Sequence, residues 1–331
     1  MLPEKHLQRK REALQEQYDI SSEKLLELRR NYAIEVDVSV RFKLVKQIEQ
    51  LEAELDEVAK HLDSIDKTSE SERLYYALLK LGYQNQIRSF KKFIDTQSIG
   101  AFLIHGSLYY GQRWLLNRLA RRHVPQNIPS KNVIVDLSRI ARQSDITALW
   151  RELSSRVGLG RQSPVSEITE RVYKWWQTQN VLLVFHNVHI LPEAFLQNLL
   201  QDFWLPLAVK AKNAATQDQQ YKLLMFLIDY DGCVDSWNMP FVDKLLPTWK
   251  PDTPVKLPVI TEFSEDELEN WLWQGYETEE LPSALTAEDV EQIVQIIMQN
   301  SDNGIPEPVM EEICRLSGCE WCEEERKWLK L

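Results

Sequence analysis

Apolar residues in the first 67 positions fall on two stripes. Leu44, Ile48, Leu51, Leu55, Val58, Leu62 and Ile65 alternate at spacings of four and three, the pattern of a coiled-coil seam. A looser stripe precedes it: Leu7, Leu14, Tyr18, Leu25, Leu28 and Tyr32. Between the two, Glu35-Val36-Asp37-Val38-Ser39-Val40 mixes β-branched residues with cap-forming Asp and Ser. The reading is a helix, a short break and a second helix folded back on the first, a hairpin over residues 1–67. One helix cannot hide such a stripe alone. The expected cover is the other helix, with a second copy of the chain or another protein as alternatives. Polar Lys67-Thr68-Ser69-Glu70-Ser71-Glu72 predicts a break and the first domain boundary.

The period then changes. Leu74 to Ile94 reads as helix, with Leu78, Leu79, Ile87, Phe90 and Phe93 as its apolar points. Apolar runs of strand length follow, at 101–105, 133–137, 181–185 and 223–228, with helical stretches between them. A fifth run, Val255 to Ile260, contains Pro258, which assigns it to a sheet edge or a bulge. Continuous apolar strands alternating with amphipathic helices predict an α/β domain over residues 73–274, built on a five-stranded parallel sheet covered on both faces. Trp150, Trp175, Trp176 and Trp204 are its largest expected anchors. Ser264-Glu265-Asp266-Glu267 is a capping box opening a further helix. Residues 282–331 read as a small helical region, with Ile293, Val294, Ile296, Ile297, Met310 and Ile313 on its apolar faces.

The composition narrows the classes of function. A chain of 331 residues with 11 Trp can bury a sizeable core, and its net charge of -11 disfavours nucleic acid and anionic membrane surfaces as partners. No window approaches the roughly 20 apolar residues of a membrane span. The N-terminus leads into a charged segment without an apolar signal core. Four cysteines in this length make no disulfide scaffold, which fits a reducing cytoplasm.

The candidate chemistry lies after the first strand. Gly106 and Gly111 frame Ser107-Leu108-Tyr109-Tyr110, with Gln112 and Arg113 next and a helix from Trp114 to His123. Strand, glycine loop and helix in that order are the context of a phosphate-binding P-loop. A working loop wraps phosphate in backbone N–H groups, adds a Lys for the β- and γ-phosphates, and holds Mg²⁺ with Ser or Thr. Gln112 stands in the Lys position and Arg113 in the Ser/Thr position. Gln112 cannot neutralise developing charge, and Arg113 puts a cation where the metal needs an oxygen ligand. The strand ending at Phe185 is followed by His186 and Asn187, where an acidic metal ligand or base would stand. The catalytic set is absent, so no enzyme, metal or cofactor is expected.

These residues carry a resemblance. The motifs are Ile104-His105-Gly106 with Gly111-Gln112-Arg113-Trp114-Leu115-Leu116, Arg151 with Val157-Gly158-Leu159, Leu183-Val184-Phe185-His186-Asn187-Val188, and Phe203-Trp204-Leu205-Pro206-Leu207. Over about Leu74 to Gln274 the chain resembles the inactive branch of the STAND NTPases, P-loop proteins of signal transduction. Its N-terminal helices resemble a coiled-coil module that precedes such domains in cyanobacterial signalling and conflict-system proteins. The resemblance implies a P-loop NTPase-like sheet and a cytoplasmic, non-catalytic adaptor or scaffold in a stress, immunity or programmed-death pathway. Effector or adaptor proteins would act in trans, and the N-terminal helices could join copies of the chain. A rival reading keeps Gly106, Gly111, Gln112 and Arg113 as a nucleotide or anion site that binds without hydrolysing, because backbone amides hold anions without a Lys.

Other constellations have plain readings. Cys314, Cys319 and Cys322 include a CxxC but lack the fourth ligand of a structural zinc site, so they read as structural thiols. His186 and His189 read as hydrogen-bonded loop histidines, and Asp229 and Asp231 as turn formers before Gly232. Arg113, Arg118, Arg121, Arg122 and His123 read as a solvated helix face with cations near its C-terminus.

Overall fold

In a computed structural model, which describes residues 2–140, 146–215, 220–244, 249–278, 281–286 and 289–329, the two N-terminal stripes face each other. Helix α1 (Leu2–Ile34) and helix α2 (Val38–Leu78) are joined by three residues. The Asp37 carboxylate accepts the Ser39 and Val40 amides at 2.7 and 3.2 Å and starts α2. Arg11 pairs with Asp66 and Arg29 with Glu52; residue numbers that rise on one helix as they fall on the other make the pairing antiparallel. Leu25, Leu51, Val58 and Ile65 are buried along the seam.

The break expected at Lys67–Glu72 does not form, because α2 continues to Leu78. Extending a helix adds a hydrogen bond per residue fixed, so a short polar run is carried through when apolar contacts resume at Leu74. The chain stops instead at Gly82 and Tyr83, both with positive φ, before α3 (Gln84–Ile94) begins. The single helix expected from Leu74 to Ile94 is therefore two. By backbone proximity the chain forms two compact units, Met1–Leu78 with Gly275–Ala287, and Leu79–Gln274 with Glu288–Leu331.

The second unit contains the sheet: β1 (Ile99–His105), β2 (Ser130–Asp136), β3 (Asn180–His186), β4 (Leu223–Asp229) and β5 (Val255–Lys256). Among the described residues these lie in the order β2-β3-β4-β1-β5, all parallel. β1, β3 and β4 are buried throughout, as their unbroken apolar runs require, whereas the edge strand β2 exposes its first three residues. β5 is the other edge, in keeping with Pro258. On one face Leu103, Val135, Phe185 and Met225 pack on helices α5 (Thr147–Arg156), α6 (Val165–Trp176), α7 (Glu193–Asn198) and α8 (Leu205–Ala214). On the other, Phe102 and Phe226 meet Phe90 and Phe93 of α3.

Between α7 and α8, Leu199–Trp204 forms a π-helical turn, with the Leu205 amide donating to the Leu200 carbonyl. Pro206 follows directly and has no N–H, so the wider turn keeps its ring off the preceding carbonyls. Buried Trp204 donates to the Pro251 carbonyl and Trp176 to that of Tyr221, at 3.0 and 3.1 Å. The capping box forms as read: Ser264 Oγ accepts the Glu267 amide and Glu267 accepts the Ser264 amide, opening α9 (Glu265–Glu277). Short α10 (Ser283–Thr286), α11 (Val290–Asn300), α12 (Pro306–Leu316) and α13 (Trp321–Trp328) complete the chain.

Candidate functional site

The loop from Gly106 to Arg113 joins β1 to α4 (Gln112–His123). Tyr109 and Gly111 both take left-handed backbone, φ 69° and 72°. Gly111 is required on two counts, since a Cβ there would lie 2.2 Å from the Tyr83 hydroxyl. That hydroxyl donates to the Tyr110 carbonyl at 3.2 Å, so the residue that precedes α3 braces the loop.

Gln112 is fully buried and turned into the loop itself. Its Nε2 donates to the carbonyls of Gly106 and Ser107 at 2.8 and 2.9 Å. A phosphate cradle presents N–H groups to its ligand; here two inward carbonyls are met by a side-chain amide of the same chain. Arg113 points the other way, its side chain half exposed, with a guanidinium nitrogen 3.6 Å from Glu325 of α13. The structure thus separates the two residues that the sequence set side by side.

Arg118 overturns the expectation of a solvated basic face. It is 5% exposed and donates to the carbonyls of Leu81 and Gly82 at 2.5 and 2.9 Å. Burial, and the neighbouring Arg122, pull its pKa down to about 9, so it stays a cation at neutral pH. Arg121 and Arg122 are exposed as read. The Asp229 carboxylate accepts the amides of Asp231, Gly232 and Val234, which is the turn chemistry assigned to it. Cys314 is buried, and the Cys319 thiol lies 3.3 Å from its carbonyl oxygen.

Above the loop, the carboxyl ends of β1 to β4 and the C-terminal helices line a cleft of about 730 Å³. Arg113, Asp136, His186, Tyr230, Glu307 and Glu325 are among its polar lining residues, with Asn187 and His189 beside His186. Sequence reasoning singled out Arg113, His186, Asn187 and His189 and missed Asp136, Tyr230, Glu307 and Glu325. Asp136-Leu137-Ser138 did hold a signal, a strand-end Asp two residues before Ser: Asp136 accepts the Ser138 amide and hydroxyl, and also the Asn187 side chain at 2.9 Å. Burial opposes ionisation of Asp136, but these hydrogen bonds outweigh it and hold its pKa below the usual carboxylate value. Glu307 behaves oppositely. Burial and the nearby Glu325 raise its pKa, against smaller opposing effects of the Gly111 amide and Arg113.

His186 Nδ1 lies 2.8 Å from the Tyr230 hydroxyl. Burial, reinforced by the Arg113 cation, lowers its pKa to about 4. A base with a depressed folded pKa gives stability that is complete above its unfolded value near 6.5 and is lost as pH falls toward 4. The midpoint of urea unfolding is therefore expected to fall across that interval, and less steeply in His186→Gln. Glu307 contributes with the opposite sign in acid, but equally in both proteins, so the difference isolates His186.

Residues 78–228 match the family model described as inactive STAND. This segment is an inactive STAND domain. Residues 4–65 match effector-associated domain 9, which lies on the hairpin, while the inactive STAND segment takes in β1, β2 and β3, runs into β4 and stops short of β5. The sheet is P-loop NTPase-like, five parallel strands flanked by helices. The chain thus sets an effector-associated domain before an inactive STAND domain.

Among solved structures, the Aeropyrum pernix ORC2 protein in its ADP form is 13% identical, over 73% of this chain and 66% of its own, with a TM-score of 0.42. Its ADPNP-ADP complexes give 13% identity, 74% and 65% coverage and a TM-score of 0.40. Saccharomyces cerevisiae RIF2 gives 8%, 76% and 87%, and 0.37. The chain spans just under two thirds of the ORC2 chains. No curated protein matches the sequence. Among the described residues no helix is long and apolar enough to cross a membrane.

Proposed function

We propose that the chain is a non-catalytic, cytoplasmic adaptor in a bacterial conflict or programmed-death pathway, joining an effector protein to other components through its hairpin, residues 1–67. The observation that carries the non-catalytic half is Gln112, whose side chain fills its own loop by donating to Gly106 and Ser107. Gly106, Gly111 and Gln112 are then a retained structural corner, and Arg113 is engaged by Glu325. Calorimetric and thermal-shift titrations with ATP, ADP and GTP, with and without Mg²⁺, are expected to show no binding at millimolar nucleotide. Mg²⁺-dependent turnover abolished by Gln112→Ala would overturn the proposal. Mg²⁺-independent binding lost in Arg113→Ala would favour the rival, a non-hydrolysing nucleotide switch.

The interaction half rests on the hairpin tip. Ile34, Val36, Val38 and Phe42 are 79, 87, 81 and 61% exposed there, an apolar cluster at the bend where neither helix can cover it. Exposed apolar clusters of this kind mark contact surfaces. Val36→Asp combined with Phe42→Asp is expected to abolish recovery of partner proteins, and any self-association seen by light scattering, while leaving helical circular dichroism unchanged. Equal recovery by the variant and the parent would reject the tip as the contact.

A further inference from the structure

Helix α12 ends in a Schellman turn. The Cys319 amide donates to the Cys314 carbonyl at 2.9 Å and the Gly318 amide to that of Arg315 at 3.1 Å, with Gly318 left-handed at φ 74°. Such a turn sets the side chain three residues before the helix cap against the one two residues after it, a contact that is ordinarily apolar. With Ser317 as the cap, both positions are cysteines. Their thiols share a hydrogen bond, and Cys319 Sγ lies 3.3 Å from the Cys314 carbonyl oxygen.

The thiols differ in access. Cys314 is fully buried, Cys319 is half-buried, and Cys322 is exposed. A structural role accounts for Cys314, since a buried thiol packs as a small apolar group. It does not account for the second thiol, which touches the first and reaches toward solvent. The contact also divides their acidity. Hydrogen bonding to Cys314, against a weaker effect of burial, holds the Cys319 pKa below the usual thiol value. The same contact, and then burial, raises that of Cys314. Oxidation selects accessible cysteines with more thiolate character and a second thiol in reach.

We propose that Cys314 and Cys319 are a reversible redox dithiol, converted by a hydroperoxide to a disulfide that staples the end of α12 to the start of α13. The Cys319 thiolate takes the terminal oxygen of the hydroperoxide and the O–O bond breaks. With one proton the products are Cys319 sulfenic acid and an alcohol, or water where the oxidant is hydrogen peroxide. The Cys314 sulfur then attacks the sulfenic sulfur. The S–S bond forms, and the departing hydroxide leaves as water with the Cys314 proton. Two thiols lose two electrons and one peroxide gains them. Cys319 leads into α13, whose Trp321 and Trp328 pack on Trp114 and whose Glu325 meets Arg113. The staple therefore acts on the helix that joins the C-terminal region to α4.

Tryptic cleavage after Arg315 leaves Cys314 on residues 257–315 and both Cys319 and Cys322 on residues 316–326. The test treats the full chain with hydrogen peroxide at neutral pH, blocks free thiols with N-ethylmaleimide and digests without reduction. A link between these two peptides is expected as the main product. It should form equally in Cys322→Ser, be lost in Cys319→Ser, and be reversed by dithiothreitol. In the double variant Cys314→Ala, Cys322→Ser, dimedone is expected to label Cys319, because neither neighbouring thiol is left to resolve the sulfenic acid. Trypsin acting on the native protein at Arg326 and Lys327, within α13, should cut severalfold more slowly after oxidation and at the original rate after dithiothreitol. Three results would overturn the proposal: no link between the two peptides, a Cys319–Cys322 disulfide as the main product, or a Cys314–Cys319 link that leaves cleavage in α13 unchanged.

Discussion

Replacing Trp114 by alanine is expected to lower the stability of the α/β unit by about 3–5 kcal/mol, the usual cost of truncating a fully buried Trp. Trp114 is 1% exposed, in the first turn of α4 just after the degenerate loop. Its ring centroid lies 5.5 Å from that of Trp321 and 6.0 Å from that of Trp328, which are themselves 6.2 Å apart. The three indoles therefore form one triangle fixing α13 to α4. Removal of the central ring leaves a void that neither partner can fill without moving α13, and α13 carries Glu325 to Arg113. For a unit of this size the expected drop in melting temperature is roughly 6–20 °C. Calorimetry would show it, and limited proteolysis should then cut first near α13. Trp114→Phe should recover a good part of the loss by keeping an aromatic ring against the other two. A melting temperature unchanged in Trp114→Ala would mean that the C-terminal helices are held elsewhere.

Gly304→Ala is expected to be comparably severe for a different reason. Gly304 has φ 98°, and a Cβ on it would lie 2.1 Å from the Phe263 carbonyl oxygen. The obstacle is backbone, so no rotamer change relieves it. The same two residues are tied by the Phe263 amide donating to the Gly304 carbonyl at 2.8 Å. The turn between α11 and α12 must either lose that bond or distort, and positive φ adds its own strain, so a loss of at least about 3 kcal/mol is expected. Gly318 provides the control. It also has positive φ, 74°, but a Cβ there would meet nothing within 4 Å, so Gly318→Ala should cost only about 1–2 kcal/mol. Chemical denaturation of both variants separates steric conflict from backbone preference; equal losses would show that the contact with Phe263 yields easily.

Both substitutions act on the packing of the C-terminal helices, and this is the part of the molecule that sequence reading left without a role. Ile293, Val294, Met310 and Ile313 were legible as apolar faces, and they are buried. What they pack against was not legible. Met310 lies within 3.2 Å of where a Gly111 Cβ would be, and the Glu307 amide donates to the Tyr109 carbonyl at 3.0 Å. Such contacts join positions far apart in the chain, and no local period records them. Arg118 was misread for a related reason. A charged residue in a basic run is indistinguishable by pattern from its solvated neighbours until the carbonyls of Leu81 and Gly82 are found beside it.

The sequence by itself determined the sheet and the hairpin, and it put Gln112 and Arg113 where a working P-loop has Lys and Ser or Thr. Strands buried on both faces must be apolar without interruption, a two-helix seam must repeat at four and three, and a Lys and a Ser or Thr missing from positions 112 and 113 are missing in any fold. Tertiary structure alone decided what became of the loop. Gln112 could have faced a ligand or its own backbone; the inward carbonyls of Gly106 and Ser107 settle it. Whether Arg113 is a free cation or an engaged one depends on α13, which reaches it because three tryptophans exclude water together. The cleft owes its acidity to Glu307 and Glu325, brought there by helices whose apolar faces have no other place to be buried.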